Sequence, residues 1–108
     1  MIRKTPTDDP DVIRVTFELP SSFWAETIHL VGEFNQWNQR SHPLRQGRDG
    51  AWRISLDLPR GRRYEFLYLV NGVQWQNDPD ADDYVLNEYG TYNSVVHTEI
   101  PTETTQED

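Results

Sequence analysis

The fold is decided by residues 52–72, WRISLDLPRGRRYEFLYLVNG, in which two strand patterns are each ended by a turn signal. Every second residue of the first strand is apolar, which predicts one buried face, at Trp52, Ile54, Leu56 and Leu58. After Pro59-Arg60-Gly61, the segment Tyr64–Val70 is apolar on both faces, so we expect it in the middle of a sheet. Asn71-Gly72 then predicts a hairpin, because both residues tolerate a positive φ, with a return strand at Val73–Gln76.

The remaining strand patterns flank this stretch. One has apolar residues at every second position up to Pro20 (Ile13, Val15, Phe17 and Leu19). The others are Thr27–Glu33, in which Gly32 marks a bulge or a close approach, and Asn93–Ile100. No segment keeps a helical period. We therefore predict a single all-β domain, an antiparallel immunoglobulin-like β-sandwich over residues 12–100, with Phe17 and Trp52 in its core. The polar segments 1–11 and 101–108 are predicted to be flexible tails, the second of them acidic.

Composition excludes several classes of partner. The net charge of −8 argues against nucleic acid and anionic membranes, which both favour a basic surface, whereas an uncharged sugar is unaffected. The absence of cysteine excludes disulfides, thiolate metal sites and a cysteine nucleophile. Polar residues follow Met1-Ile2-Arg3-Lys4 where a signal peptide would have an apolar core. We therefore expect a cytoplasmic protein without a membrane span.

An acidic segment, Asp78–Asp83, is the nearest approach to a catalytic or metal-binding motif. An EF-hand calcium loop would need Gly at its sixth position and Glu at its twelfth, where this chain has Asp83 and Tyr89. A glycosidase carboxylate pair would need a cleft that nothing else in the sequence indicates. We interpret the segment as a solvated turn in which Asp78 or Asp82 caps local backbone. The three histidines lack metal-ligand spacing, so we expect no catalytic residue, metal or cofactor.

Two tryptophans lie outside the main strand patterns and among amide side chains. Trp37 ends the segment FNQW, residues 34–37, whose asparagine favours a turn over burial, and Trp75 lies between Gln74 and Gln76. An exposed indole matches the flat C–H face of a pyranose ring, and neighbouring amides bond sugar hydroxyls. Both tryptophans could instead cover the core, and their spacing alone leaves this open.

A series of ordered motifs resembles the isoamylase-type early-set domain, also called the family 48 carbohydrate-binding module, over about residues 12–98. They are VGEFNQW at 31–37, PL at 43–44, DGAW at 49–52, LPRG at 58–61, YEF at 64–66, VNG at 70–72, DP at 78–79 and YGTYNS at 89–94. The family includes the glycogen-binding domain of the AMP-activated kinase β subunit and the N-terminal domains of glycogen branching and debranching enzymes.

The resemblance implies an early-set β-sandwich that binds α-1,4-linked glucan without cleaving it. It implies that Trp37 and Trp75 stack on consecutive glucose units. It further implies sugar contacts from the loop before the last strand, at Tyr89, Thr91 and Asn93. Leu67 stands where the family often has a lysine or arginine that bonds a glucose hydroxyl.

Two other hypotheses are compatible with the same motifs. The chain could be a protein-interaction or scaffolding module of glucan metabolism whose partner is a glucan-metabolising enzyme or a kinase-type complex. It could also be the N-terminal module of an enzyme of the glycoside hydrolase family 13 type.

Overall fold

The computed structural model describes residues 1–99, which form nine β-strands and one 3-10 turn. The strands are β1 (Ile2–Pro6), β2 (Val12–Leu19), β3 (Ile28–Gly32), β4 (Arg45–Gln46), β5 (Trp52–Pro59), β6 (Arg63–Val70), β7 (Gln74–Gln76), β8 (Asp83–Leu86) and β9 (Tyr92–His97). The 3-10 turn covers Glu33–Asn35. In residues 1–99 no helix has the length and apolar character needed to cross a bilayer.

The strands form two antiparallel sheets, as predicted. The first sheet has the order β1-β2-β5-β4, and the second has the order β3-β6-β9-β8. Strand β6 pairs with β3 along one edge, and with β9 and then β7 along the other edge. This confirms the central position expected for Tyr64–Val70. The two sheets bury a shared core, so the all-β sandwich predicted from the strand periodicity is confirmed.

Aromatic side chains fill much of the core between the sheets. The Phe17 ring of β2 meets the Phe66 ring of β6 edge-on, with centroids 5.1 Å apart. Phe66 in turn lies 5.7 Å from Tyr68, again edge to face. These are the geometries that the ring quadrupole favours. Phe17 and Trp52 are both buried, as their strand parity predicted.

The predicted flexible tail at residues 1–11 is wrong, because Ile2–Pro6 forms an edge strand of the first sheet. It pairs with β2 from Ile2↔Phe17 to Pro6↔Ile13. Ile2 packs against the core, and the Lys4 ammonium lies 2.6 Å from an Asp82 carboxylate oxygen. With one apolar residue in five, β1 has no period that could reveal it. The predicted acidic tail at 101–108, and Ile100, lie outside the described residues.

The acidic segment is also more structured than predicted. Asp78 is fully buried; its Oδ2 accepts the Tyr68 hydroxyl at 2.6 Å, and its Oδ1 accepts the Asp80 backbone N–H at 2.7 Å. The predicted capping of local backbone by Asp78 is therefore confirmed. The prediction that this part of the segment is solvated is wrong at Asp78, which is buried. Burial, together with the charge and hydrogen bond of Asp78, raises the pKa of Tyr68 well above its ordinary value. The segment then runs directly into β8, a strand that the acidic composition concealed.

Candidate functional site

An open cleft of about 880 Å³ lies against the second sheet. All six side chains that the sequence analysis singled out line it: Trp37, Leu67, Trp75, Tyr89, Thr91 and Asn93. Sequence reasoning missed six further lining residues, which are Glu33, Glu65, Asn77, Asn87, Glu88 and Tyr92. The structure thus brings together residues that are up to 60 positions apart in the chain, from Glu33 to Asn93.

The cleft is on the side of the second sheet that faces away from the core. Phe66 and Tyr68 of β6 point inward and are buried, so Leu67 points outward. Trp75 lies opposite Leu69 in the β6–β7 register and therefore shares the face of Leu67. Trp37 and Trp75 are 38% and 45% exposed. Neither belongs to the core cluster, so neither covers the core between the sheets.

Trp37 is presented by a tight turn after β3. Gln36 and Trp37 both have a positive φ, of 54° and 58°, which non-glycine residues rarely adopt. The turn is held by the Trp37 N–H, which donates to the Gly32 carbonyl at 2.8 Å. Gly32 is itself a close approach, as predicted, because a Cβ there would lie 2.7 Å from the Glu65 carbonyl oxygen.

A buried asparagine anchors the same turn. The Asn35 Oδ1 accepts the Gly32 N–H at 3.1 Å, and its Nδ2 donates to the Leu30 carbonyl and to the His42 Nδ1, both at 3.0 Å. Asn35 is only 7% exposed. The expectation that an asparagine-rich turn stays unburied therefore fails at Asn35. With these bonds satisfied, the turn keeps its geometry although two of its residues adopt an unfavourable backbone conformation.

Trp75 is placed by the hairpin that the sequence predicted. Asn71 and Gly72 have φ values of 53° and 74°. These values suit the tight turn between β6 and β7. Immediately after β7, the Asn77 Nδ2 donates to the Tyr92 carbonyl and to the Ser94 Oγ, both at 2.9 Å. The strand that carries Trp75 is therefore fixed at both of its ends.

The loop between β8 and β9 is organised by Asn87. Its Oδ1 accepts the backbone N–H groups of Tyr89 at 2.9 Å and Thr91 at 3.1 Å. Its Nδ2 donates to the Thr91 Oγ1 at 2.8 Å and to the Asn93 Oδ1 at 3.0 Å. One side chain thus orients all three residues predicted to contact sugar, Tyr89 and Thr91 in the loop and Asn93 in the first part of β9. Tyr89 is left 83% exposed, whereas Asn93 is 7% exposed.

Carboxylates complete the lining. The Glu65 Oε1 accepts the Asn93 Nδ2 at 3.0 Å, and the Glu33 Oε1 accepts the Glu65 backbone N–H at 2.7 Å. Strand parity could have revealed Glu65, which lies two positions before Leu67 and so shares its face. The contacts of Asn87 depend on the geometry of the loop, so no sequence pattern comparable to strand parity predicts them.

Comparison with known proteins places the chain in a family. The family model described as carbohydrate-binding module 48 (isoamylase N-terminal domain) matches residues 9–89, so Thr91 and Asn93 lie just beyond the match. The chain is 32% identical over 75 residues to a 1,4-alpha-glucan branching enzyme GlgB of Photobacterium profundum, a match that covers 68% of this chain and 10% of the enzyme. It is 40% identical over 63 residues to the 1,4-alpha-glucan-branching enzyme of Dictyostelium discoideum, covering 50% of this chain and 9% of the enzyme. The matched region thus spans about a tenth of the length of these relatives.

Proposed function

The chain belongs to the carbohydrate-binding module 48 family, and on this premise we propose that it binds α-1,4-linked glucan such as glycogen, starch or maltodextrin. One observation carries the proposal: two partly exposed indoles and a set of amides and hydroxyls line the same cleft. Large aromatic surfaces with a few convergent polar groups are the usual composition of a ligand site. The cleft volume of about 880 Å³ is sufficient for a short oligosaccharide.

In the proposed complex, Trp37 and Trp75 each cover the apolar face of one glucose unit. Covering about 70 Å² of indole contributes roughly 1.5–2 kcal/mol, or more than tenfold in affinity, for each platform. Tyr89 offers a third aromatic surface next to them. Thr91 and Asn93 supply hydrogen bonds to sugar hydroxyls. A few stacked rings and hydrogen bonds predict a dissociation constant of roughly 10 μM to 1 mM.

The relatives support a role for the module in glucan metabolism. Those named above are 1,4-alpha-glucan branching enzymes, each several hundred residues longer than the region that matches. We infer that the module directs an attached or associated glucan-metabolising enzyme to its polymer. The module itself contributes binding, and Leu67 contributes apolar contact rather than a hydrogen bond to the sugar.

Calorimetric titration with maltoheptaose tests the proposal. We expect Trp37→Ala and Trp75→Ala each to weaken binding by about tenfold or more. Trp24→Ala is the matched control, because Trp24 is 91% exposed and does not line the cleft. It should bind like the wild type. A linear β-1,4-linked glucan of the same length should bind much more weakly, because its glucose rings do not follow the curve of an α-1,4-linked chain.

Two results would contradict the proposal, the first its glucan binding and the second its assignment of that binding to the cleft. The first is the absence of heat with maltoheptaose at millimolar concentration from a wild-type protein that remains folded by circular dichroism. The second is wild-type affinity in the Trp37→Ala/Trp75→Ala double variant. The second result would leave carbohydrate binding intact but would move it away from the cleft.

A further inference from the structure

The charged side chains that line the cleft are all acidic. Glu33, Glu65 and Glu88 contribute carboxylates to its wall, and within residues 1–99 no lysine, arginine or histidine lines it. Leu67, on the outward face of β6, contributes an apolar side chain to the lining. A ligand in the cleft therefore meets a negative field, in a protein whose net charge is already −8.

A neighbouring arginine does not neutralise this field. Arg63 lies on the same face of β6 and lines a smaller adjoining depression together with Glu33 and Glu65. Its guanidinium is 3.3 Å from an Asp83 carboxylate oxygen, so its charge is already shared with an acid outside the cleft. If the Arg63–Asp83 pair is counted as neutral, no positive charge from the described residues of the lining offsets the three glutamates of the cleft.

The charged hydrogen-bonding groups of the cleft are all acceptors. Asn93 uses one amide hydrogen on Glu65, and its oxygen accepts from Asn87, which leaves one N–H for a ligand. Glu65 retains its second oxygen, and ionised carboxylates can only accept. The cleft therefore suits a ligand whose hydroxyls donate hydrogen bonds to these carboxylates, and the described part of the chain offers no cationic donor there to an anionic ligand.

We propose that the cleft selects uncharged glucan and rejects glucan that carries phosphate monoesters or C6 carboxylates. This inference rests on the proposed function. Glu33, Glu65 and Glu88 are the specificity-determining residues. A phosphate dianion about 8 Å from three carboxylates at physiological ionic strength is disfavoured by about tenfold relative to a hydroxyl. The same carboxylates accept hydrogen bonds from the hydroxyls of an unsubstituted chain.

The test compares two ligands on a set of variants. Maltoheptaose and maltoheptaose with a single 6-phosphate are titrated calorimetrically into the wild type, Glu65→Gln and Glu33→Gln/Glu65→Gln/Glu88→Gln. Glutamine keeps the oxygen that accepts from Asn93 and removes the charge. Glu99→Gln is the matched control, because Glu99 follows the opposite end of β9 and does not line the cleft.

We expect the wild type to prefer the unphosphorylated ligand by about tenfold, and the preference to shrink in 1 M salt. Glu65→Gln should bind maltoheptaose slightly more weakly but the phosphorylated ligand about twofold more tightly. The triple variant should lose most of the discrimination, and Glu99→Gln should keep it.

Equal wild-type affinity for the two ligands, or discrimination that persists in the triple variant, would overturn the selectivity while leaving glucan binding in place. If the wild type binds neither ligand, the proposed function and the selectivity fail together. The affinity for maltoheptaose alone therefore separates the two failures.

Discussion

Removing the Tyr68 hydroxyl should destabilise the domain strongly, although Tyr68→Phe removes only one oxygen atom. The Asp78 carboxylate is fully buried, and its Oδ2 has the Tyr68 hydroxyl as its hydrogen-bond donor at 2.6 Å. Its Oδ1 keeps the Asp80 N–H, and the Met1 ammonium lies 3.8 Å away. Tyr68→Phe thus leaves one oxygen of a buried charge unsatisfied.

A hydrogen bond to a charged group contributes about 1.5–3 kcal/mol, and burial favours the upper part of that range. We expect Tyr68→Phe to lower the free energy of unfolding by about 2–3 kcal/mol, and the melting temperature by roughly 10 °C or more. Urea denaturation followed by tryptophan fluorescence measures the loss. Tyr64→Phe removes the same atom from a half-buried ring whose hydroxyl bonds no other described residue, and it should cost about 0.5 kcal/mol or less.

The same pair predicts a dependence on alkaline pH. Because burial beside Asp78 raises the pKa of Tyr68 in the folded state, the folded protein retains this proton after the unfolded chain has lost it. The stability that Tyr68 contributes is therefore complete below about pH 10 and declines above it. The difference in stability between wild type and Tyr68→Phe should shrink as the pH rises above 10. A variant within 0.5 kcal/mol of wild type at neutral pH, or a constant difference at high pH, would refute this reasoning.

Two further predictions concern the cleft. Gly32→Ala should destabilise the domain by about 1–3 kcal/mol in urea denaturation, because its Cβ would lie 2.7 Å from the Glu65 carbonyl oxygen and 2.8 Å from the Phe66 Cβ; full stability would contradict the close approach. Asn87→Ala should weaken maltoheptaose binding by about tenfold in calorimetry, because Tyr89, Thr91 and Asn93 lose the side chain that orders them. Unchanged affinity would show that the loop is ordered without it.

The sequence predicts those strands whose apolar residues indicate burial on one face or on both faces. The alternation of Ile13, Val15, Phe17 and Leu19 and the apolar run Tyr64–Val70 become β2 and β6. Strands β1 and β8 have no such pattern, because β1 is an exposed edge and β8 begins in an acidic segment. Their positions depend on pairing with β2 and β9, which a local pattern does not record.

The same distinction applies to the cleft. The polar neighbours of Trp37 and Trp75 left open whether both are exposed or cover the core, and the family resemblance favoured exposure and selected the remaining four residues. Their meeting in one cleft depends on the register that sets Trp75 opposite Leu69, since a slip of one residue would reverse every face. The contacts of Asn87 and Glu65 depend in turn on that assembled geometry.

The cleft and the sandwich core have no side chain in common. Substitutions that alter what the outer face of the second sheet recognises can therefore accumulate with little penalty to folding. Thermal stability is then a poor guide to whether a homologous domain still binds its ligand.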